Sequence, residues 1–135
     1  MKHVPTVAGA LLGLLFVVFG LNFFLNFIPM PPGPPEGSPA ALFFGALFPT
    51  GYLACIKVLE VTGGLLVAMP KTRNIGLLIL GPIIVNILCF HIFLNKGATL
   101  LDPVVLLVTG LSLYLLVVER KAFAGLVTRS TATNG

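Results

Sequence analysis

The chain has 135 residues, 57% hydrophobic and only 9% charged, with a net charge of +4 and a mean hydropathy of +1.08. Globular domains carry roughly 25% charged residues, so a water-soluble domain is excluded and an all-α integral membrane protein is predicted. About 20 residues are needed per span, which leaves room for about four helices in a single membrane domain.

In chain order, Val4–Ile28 is apolar apart from Thr6, Asn22 and Asn26, and it stops at the Pro-rich run Pro29–Pro35, which cannot continue a helix. Its apolar stretch exceeds the roughly 7–15 residues of a signal-peptide core and no small-residue cleavage pattern closes it, so it reads as a span despite the basic start at Lys2. Ala40–Phe48 is apolar but too short to cross. It reads either as a short interfacial helix or as the kinked first turns of the next span, with Pro49 at the break. Gly51–Met69 is the second span, stopped by Pro70; Asn74–Leu94 is the third; Leu100–Val118 is the fourth, followed by Glu119, Arg120 and Lys121 and a cytoplasmic tail over 119–135. The small polar residues from Thr128 to Gly135 predict disorder.

The basic residues predict sidedness. Lys2, Lys71, Arg73, Arg120, Lys121 and Arg129 all fall on one side of a four-span chain, leaving only Lys57 within the membrane and Lys96 on the far side. That side is cytoplasmic by the positive-inside rule, with both termini there. The net charge is thereby a topology signal, and nucleic acid is not implied as a partner.

Lys57 and Glu60 lie one turn apart inside the second span. A charge at mid-bilayer costs at least about 2.5–3.5 kcal/mol, so an intramembrane ionisable residue is by default a functional candidate. At 1.5 Å per residue they sit roughly 9 and 14 Å below the outer start of their helix. Asn22, Asn26, Asn86, Cys89 and His91 also fall in the outer half, whereas the cytoplasmic half reads as Leu, Val, Ile and Gly. This asymmetry predicts a polar pocket opening outward beneath the Pro-rich run, lined by Phe23, Phe27, Phe90 and Phe93. Helical phase puts Lys57, Glu60, Val61 and Gly64 on one stripe with Leu53 beside it, Asn22 and Asn26 on another, and Asn86 near Cys89, Phe90 and Phe93. His91 falls about 140° from Asn86 on an ideal helix. Pro82 bends the span four residues before Asn86, and His91 reads as a rim residue.

Each of these also has a structural reading. Lys57 and Glu60 can form an ion pair that fixes helix register, and the asparagines can serve as interhelical hydrogen bonds of about 0.6 kcal/mol each. No metal site is expected: His3 is at the opposite end from His91. Cys55 points about 160° from Lys57 and no Cys-x-x-Cys occurs, so both cysteines read as packing residues. Gly9, Gly13 and Gly20 form a small-residue face on the first span, and Gly63 and Gly64 do so on the second, predicting close helices. The Gly9-x-x-x-Gly13 face suits a homo-oligomer as well as an internal contact.

The runs FGLNFFLNFIPMPP (Phe19–Pro32), ALFPTGYLACIKVLEVTGGLL (Ala46–Leu66) and GPIIVNILCFHIFLNKG (Gly81–Gly97) resemble the DoxX family of small bacterial membrane proteins. The likeness extends from Val7 to Val118 and rests on a PMPP-type loop, K-x-x-E in the second span and N-x-x-x-F-H-x-F-L in the third. It implies a four-helix bundle in the bacterial inner membrane, in a family named for a thiosulfate:quinone oxidoreductase subunit and linked to redox partners. It carries no enzyme assignment. Asn22, Lys57, Glu60, Asn86 and His91 are the positions it marks as characteristic; Cys55 and Cys89 are not among them.

Three functions follow as expectations. One is a membrane subunit or small-ligand protein whose outer pocket, formed with Asn22, Asn26, Lys57, Glu60, Asn86 and His91, holds a quinone-like or lipid-like molecule. The second is an accessory protein whose Lys57–Glu60 pair only fixes packing. The third, a proton-coupled transporter using Glu60, is disfavoured because the cytoplasmic half shows no ionisable partner. With no nucleotide fingerprint or metal cluster, an enzyme acting alone is not expected and no intrinsic cofactor is implied; redox work would need a cofactor-bearing partner in the membrane or on its outer side.

Overall fold

The computed structural model describes residues 2–97 and 99–128, and over these all of the regular secondary structure is helical. The disorder expected toward Gly135 therefore lies outside the described residues from 129 onward.

Helix α1 spans Val4–Leu25, with Pro5 in its first turn, where a missing N–H costs nothing. It ends three residues earlier than expected because Asn26 adopts the left-handed conformation, φ 52°, and its N–H closes on Asn22 O. The following Pro-rich segment forms no helix. Helix α2 (Pro39–Leu47) starts where Ser38 Oγ accepts from Ala41 N at 3.2 Å. Pro49 and Gly51, the latter at φ 81°, then turn the chain, and α3 (Tyr52–Ala68) departs at 84° to α2. That angle shows α2 to be a separate helix lying across the end of α3 rather than its continuation.

A tight hairpin follows, closed by Thr72 Oγ1 donating to Leu66 O at 2.7 Å. Helix α4 covers Arg73–Cys89, with Pro82 inside it, and continues as a π-helical turn over Phe90–Leu94. Helix α5 (Pro103–Val118) begins later than Leu100, where Asp102 Oδ1 accepts from Val104 N at 2.9 Å. A final helix, α6 (Arg120–Val127), bends 71° from α5. It occupies the first part of the segment the sequence assigned to a tail after the last span, and Phe123 packs back from it onto the core.

Helix α1 packs on α3, α3 on α4, and α5 closes the ring against α1 and α4, with α2 touching α3 and the π-turn. Their centre is Leu12, Phe16, Val67, Leu77, Leu80, Ile84 and Leu115. The seams are made by glycine. A Cβ on Gly64 would sit 2.9 Å from Gly13 O, and one on Gly76 would sit 2.5 Å from Val67 N, so backbones touch on both sides of α3. The Gly9–Gly13 face is accordingly consumed inside the bundle: a Cβ on Gly9 would meet Val67 O at 2.8 Å.

The outside of the bundle is apolar, with Val7, Leu14, Leu65, Ile75, Leu78, Val85, Leu113 and Val117 all exposed. Helices apolar on every face belong in lipid. Helix α1 and the continuous segment Arg73–Leu94 are each long and apolar enough to cross a membrane, and the bent pairs α2/α3 and α5/α6 raise the number of candidate spans to as many as 4. The chain is a helical membrane protein.

Candidate functional site

Lys57 Nζ donates to Glu60 Oε2 at 3.0 Å along one turn of α3. The Glu60 side chain is 6% exposed and that of Lys57 is 23% exposed. The reason is angular: Gly64 faces α1 and Gly63 faces Leu80 of α4, and Glu60 projects between those directions, into the bundle. Lys57 lies toward α1, its carbonyl 3.4 Å from where a Gly20 Cβ would be.

The predicted outer cluster is only partly assembled around this pair. Asn22 is buried, but its amide is spent on local chain: Oδ1 accepts from Ile28 N at 2.7 Å and Nδ2 donates to Ile28 O at 3.2 Å. It clamps the start of the Pro-rich segment to the end of α1. Asn26 is exposed and serves as the left-handed helix cap. His91 Nδ1 pairs with Thr99 Oγ1, to which Asn95 Nδ2 also donates at 3.0 Å, so the imidazole fastens the α4–α5 connection. The sequence looked to Pro82 for any bend near His91, whereas the helix changes phase at the π-turn, one extra residue per hydrogen-bonded ring.

A second site gathers other residues. An open groove of about 160 Å³ lies between α2 and the end of α4, lined by Phe43, Asn86, Cys89, Phe90, Phe93 and Leu94. Phe90 is held by the α2 aromatics, its ring centroid 5.1 Å from Phe44 and 5.6 Å from Phe43. Asn86 is exposed and donates from Nδ2 to Pro82 O at 2.9 Å, and its Oδ1 has no hydrogen-bond donor among the described residues. The groove holds three predicted site residues, Asn86, Phe90 and Phe93. Phe23 instead stacks edge-on with Phe48 at 5.6 Å, and Phe27 is exposed. Lys57, Glu60 and His91 do not line the groove. Phe43 was legible as an aromatic in a short apolar helix, but only the 84° turn places it opposite Phe90.

The expectation of an apolar opposite half is overturned by Arg73. This residue, assigned by sequence to a cytoplasmic connection, is 5% exposed, and its Nη1 lies 3.6 Å from Glu119 Oε1 at the α5–α6 bend. Its Nε and Nη2, like Asn74 Oδ1, are buried without partners among the described residues. The two charged layers are separated by Val67, Leu80 and Leu115, none of which is exposed to solvent at all. Cys55 and Cys89 are free thiols, both exposed. Among the described residues no three His, Cys, Asp or Glu side chains gather as a metal site would require. No protein-family model, no curated protein and no solved structure matches this chain.

Proposed function

We propose that the protein is a DoxX-like, four-span protein of the bacterial inner membrane, both termini cytoplasmic, that binds a planar amphipathic molecule of quinone-like or lipid-like character in the groove between α2 and the π-turn. The observation that carries this reading is the convergence of Phe43, Phe90 and Phe93 with the Asn86 amide on one apolar groove. Ring faces stack on aromatic side chains, and a single amide oxygen on the wall orients a hydroxyl or quinol. At about 160 Å³ the groove is smaller than the roughly 300–1,000 Å³ of ordinary ligand sites. It therefore takes the ring, and the tail of the molecule runs past Phe93, 72% exposed, into lipid.

In this reading the Lys57–Glu60 pair is a register pin and not part of the ligand site. Its support is that neither side chain lines the groove, while Glu60 is buried inside the bundle and the Lys57 backbone lies at the α1–α3 seam. Any electron transfer would be completed by a partner that carries the redox cofactor, with this chain supplying the bound carrier. The apolar layer of Val67, Leu80 and Leu115 between Glu60 and Arg73 weighs against a proton path through the bundle.

The test is mass spectrometry of small molecules that co-purify with the protein from a bacterial membrane. The wild type should bring down a quinone or other ring-bearing lipid that Phe90→Ala loses. Recovery of the same molecules in equal amount by both proteins would overturn the reading.

A further inference from the structure

The end of the bundle that carries the start of α1, the α3–α4 hairpin and the α5–α6 bend combines two features that the groove at the other end does not explain. The first is a second groove, about 350 Å³, walled by Val4, Val7, Ala8 and Leu11 of α1 and Leu111 of α5, with His3 at its mouth. The volume falls within the range of roughly 300–1,000 Å³ typical of ligand sites. From Val4 to Leu11 it follows α1 for about 10 Å at 1.5 Å per residue. Being long, apolar and open along one side, it fits an alkyl chain better than a compact molecule.

The second feature is the charge at the same end of the bundle. Lys2, Lys71, Arg120 and Lys121 are all exposed at this end. Glu119 is the one carboxylate there among the described residues, and it faces inward to the buried Arg73 at 3.6 Å. Glu36 and Asp102 lie toward the opposite end, next to the starts of α2 and α5, and Glu60 is inside the bundle. Among the described residues these basic side chains are therefore left without a neutralising carboxylate. Arg120 is also fixed in place, its Nη1 donating to Val117 O at 2.8 Å, so its charge is held at the end of α5.

We propose that the α1–α5 groove binds an acidic phospholipid, with one acyl chain along Val4, Val7, Leu11 and Leu111 and the phosphate at the rim formed by Lys2, Arg120 and Lys121. The Arg73–Glu119 pair serves this site indirectly. It takes the one local carboxylate among the described residues out of the rim and joins α4 to the α5–α6 bend, so that Arg120 and Lys121 start α6 at the bilayer surface. Basic residues near an acidic lipid surface each contribute about 1 kcal/mol, or about fivefold in binding.

The experiment places the full-length protein in nanodiscs of equal phosphatidylglycerol and phosphatidylcholine and counts retained lipids by native mass spectrometry. The wild type should retain phosphatidylglycerol over phosphatidylcholine by about tenfold or more, and Lys2→Gln/Arg120→Gln/Lys121→Gln should reduce the preference to about twofold or less. Val7→Trp fills the groove from an exposed position, 62% accessible, without crowding the core. It should lose the retained lipid of either kind. Equal retention of the two lipids by the wild type, or retention of phosphatidylglycerol by Val7→Trp as in the wild type, would overturn the proposal.

Discussion

Lys57 and Glu60 close an ion pair at 3.0 Å within one turn of α3, and the acid is the more deeply buried partner. This inequality sets the expected order of damage. Lys57→Met leaves a carboxylate inside the bundle with no counter-charge, which typically costs about 3–5 kcal/mol. Glu60→Leu leaves an ammonium that can still reach the edge of the bundle along its flexible stem, and should cost less. The double replacement removes both charges and should recover most of the loss. Thermal unfolding of the three variants in detergent checks the order; a double variant as unstable as Lys57→Met would refute the register-pin role.

The Arg73–Glu119 contact differs because the guanidinium is already under-satisfied, with Nε and Nη2 unpartnered. Glu119→Gln removes its one ionic partner and should destabilise the protein by about 3 kcal/mol or more, since a buried charge is stranded. Arg73→Met/Glu119→Leu should be near neutral or better. A double-variant cycle measured by chemical unfolding gives the coupling directly, and no coupling between the two sites would contradict the contact.

The glycine seams make a sharper test of packing. A Cβ on Gly76 would be 2.5 Å from the Val67 backbone nitrogen, whereas Gly81 and Gly110 have nothing within 4 Å. Gly76→Ala should lower stability by about 1–3 kcal/mol through overpacking. At the two open helical positions the same replacement should raise stability by up to about 1 kcal/mol. Melting temperatures that shift the same way at all three positions would contradict the close approach of α3 and α4.

Asn22→Ala removes both hydrogen bonds to the Ile28 backbone. Leaving such groups unpaired costs about 1–3 kcal/mol, and here the loss should appear locally. The Pro-rich segment should be cut by protease several times faster while the helical bundle stays intact. Unchanged cleavage would show that the clamp does not hold the segment.

Much of the scaffold was legible in the sequence. The apolar runs were read close to where α1, α3 and α4 lie, and Gly9, Gly13, Gly63 and Gly64 announced the seams they form. The Lys57–Glu60 contact was legible as well, because spacing along one helix fixes it. What was hidden depends on elements distant in sequence. The burial of Arg73 requires Glu119, delivered by the return of α5, so a basic residue in a hairpin read as solvated. The groove requires the 84° turn between α2 and α3 and the π-turn at Phe90, neither of which leaves a periodic signal. Asn22 and His91 were read as ligand-site candidates near helix ends, and their partners in the structure are backbone and a loop threonine, which helical phase does not reveal.

The most direct measurement of the central claim is titration of the purified protein in nanodiscs with a decyl-substituted benzoquinone, following quinone binding by isothermal calorimetry. The account predicts saturable binding that Phe90→Ala and Asn86→Leu each weaken by about fivefold, the scale of a lost aromatic contact or hydrogen bond of about 1 kcal/mol. It also predicts that Lys57→Met/Glu60→Leu binds as the wild type does. Binding abolished by that double variant and untouched by Phe90→Ala would place the ligand at the charged pair and contradict the account.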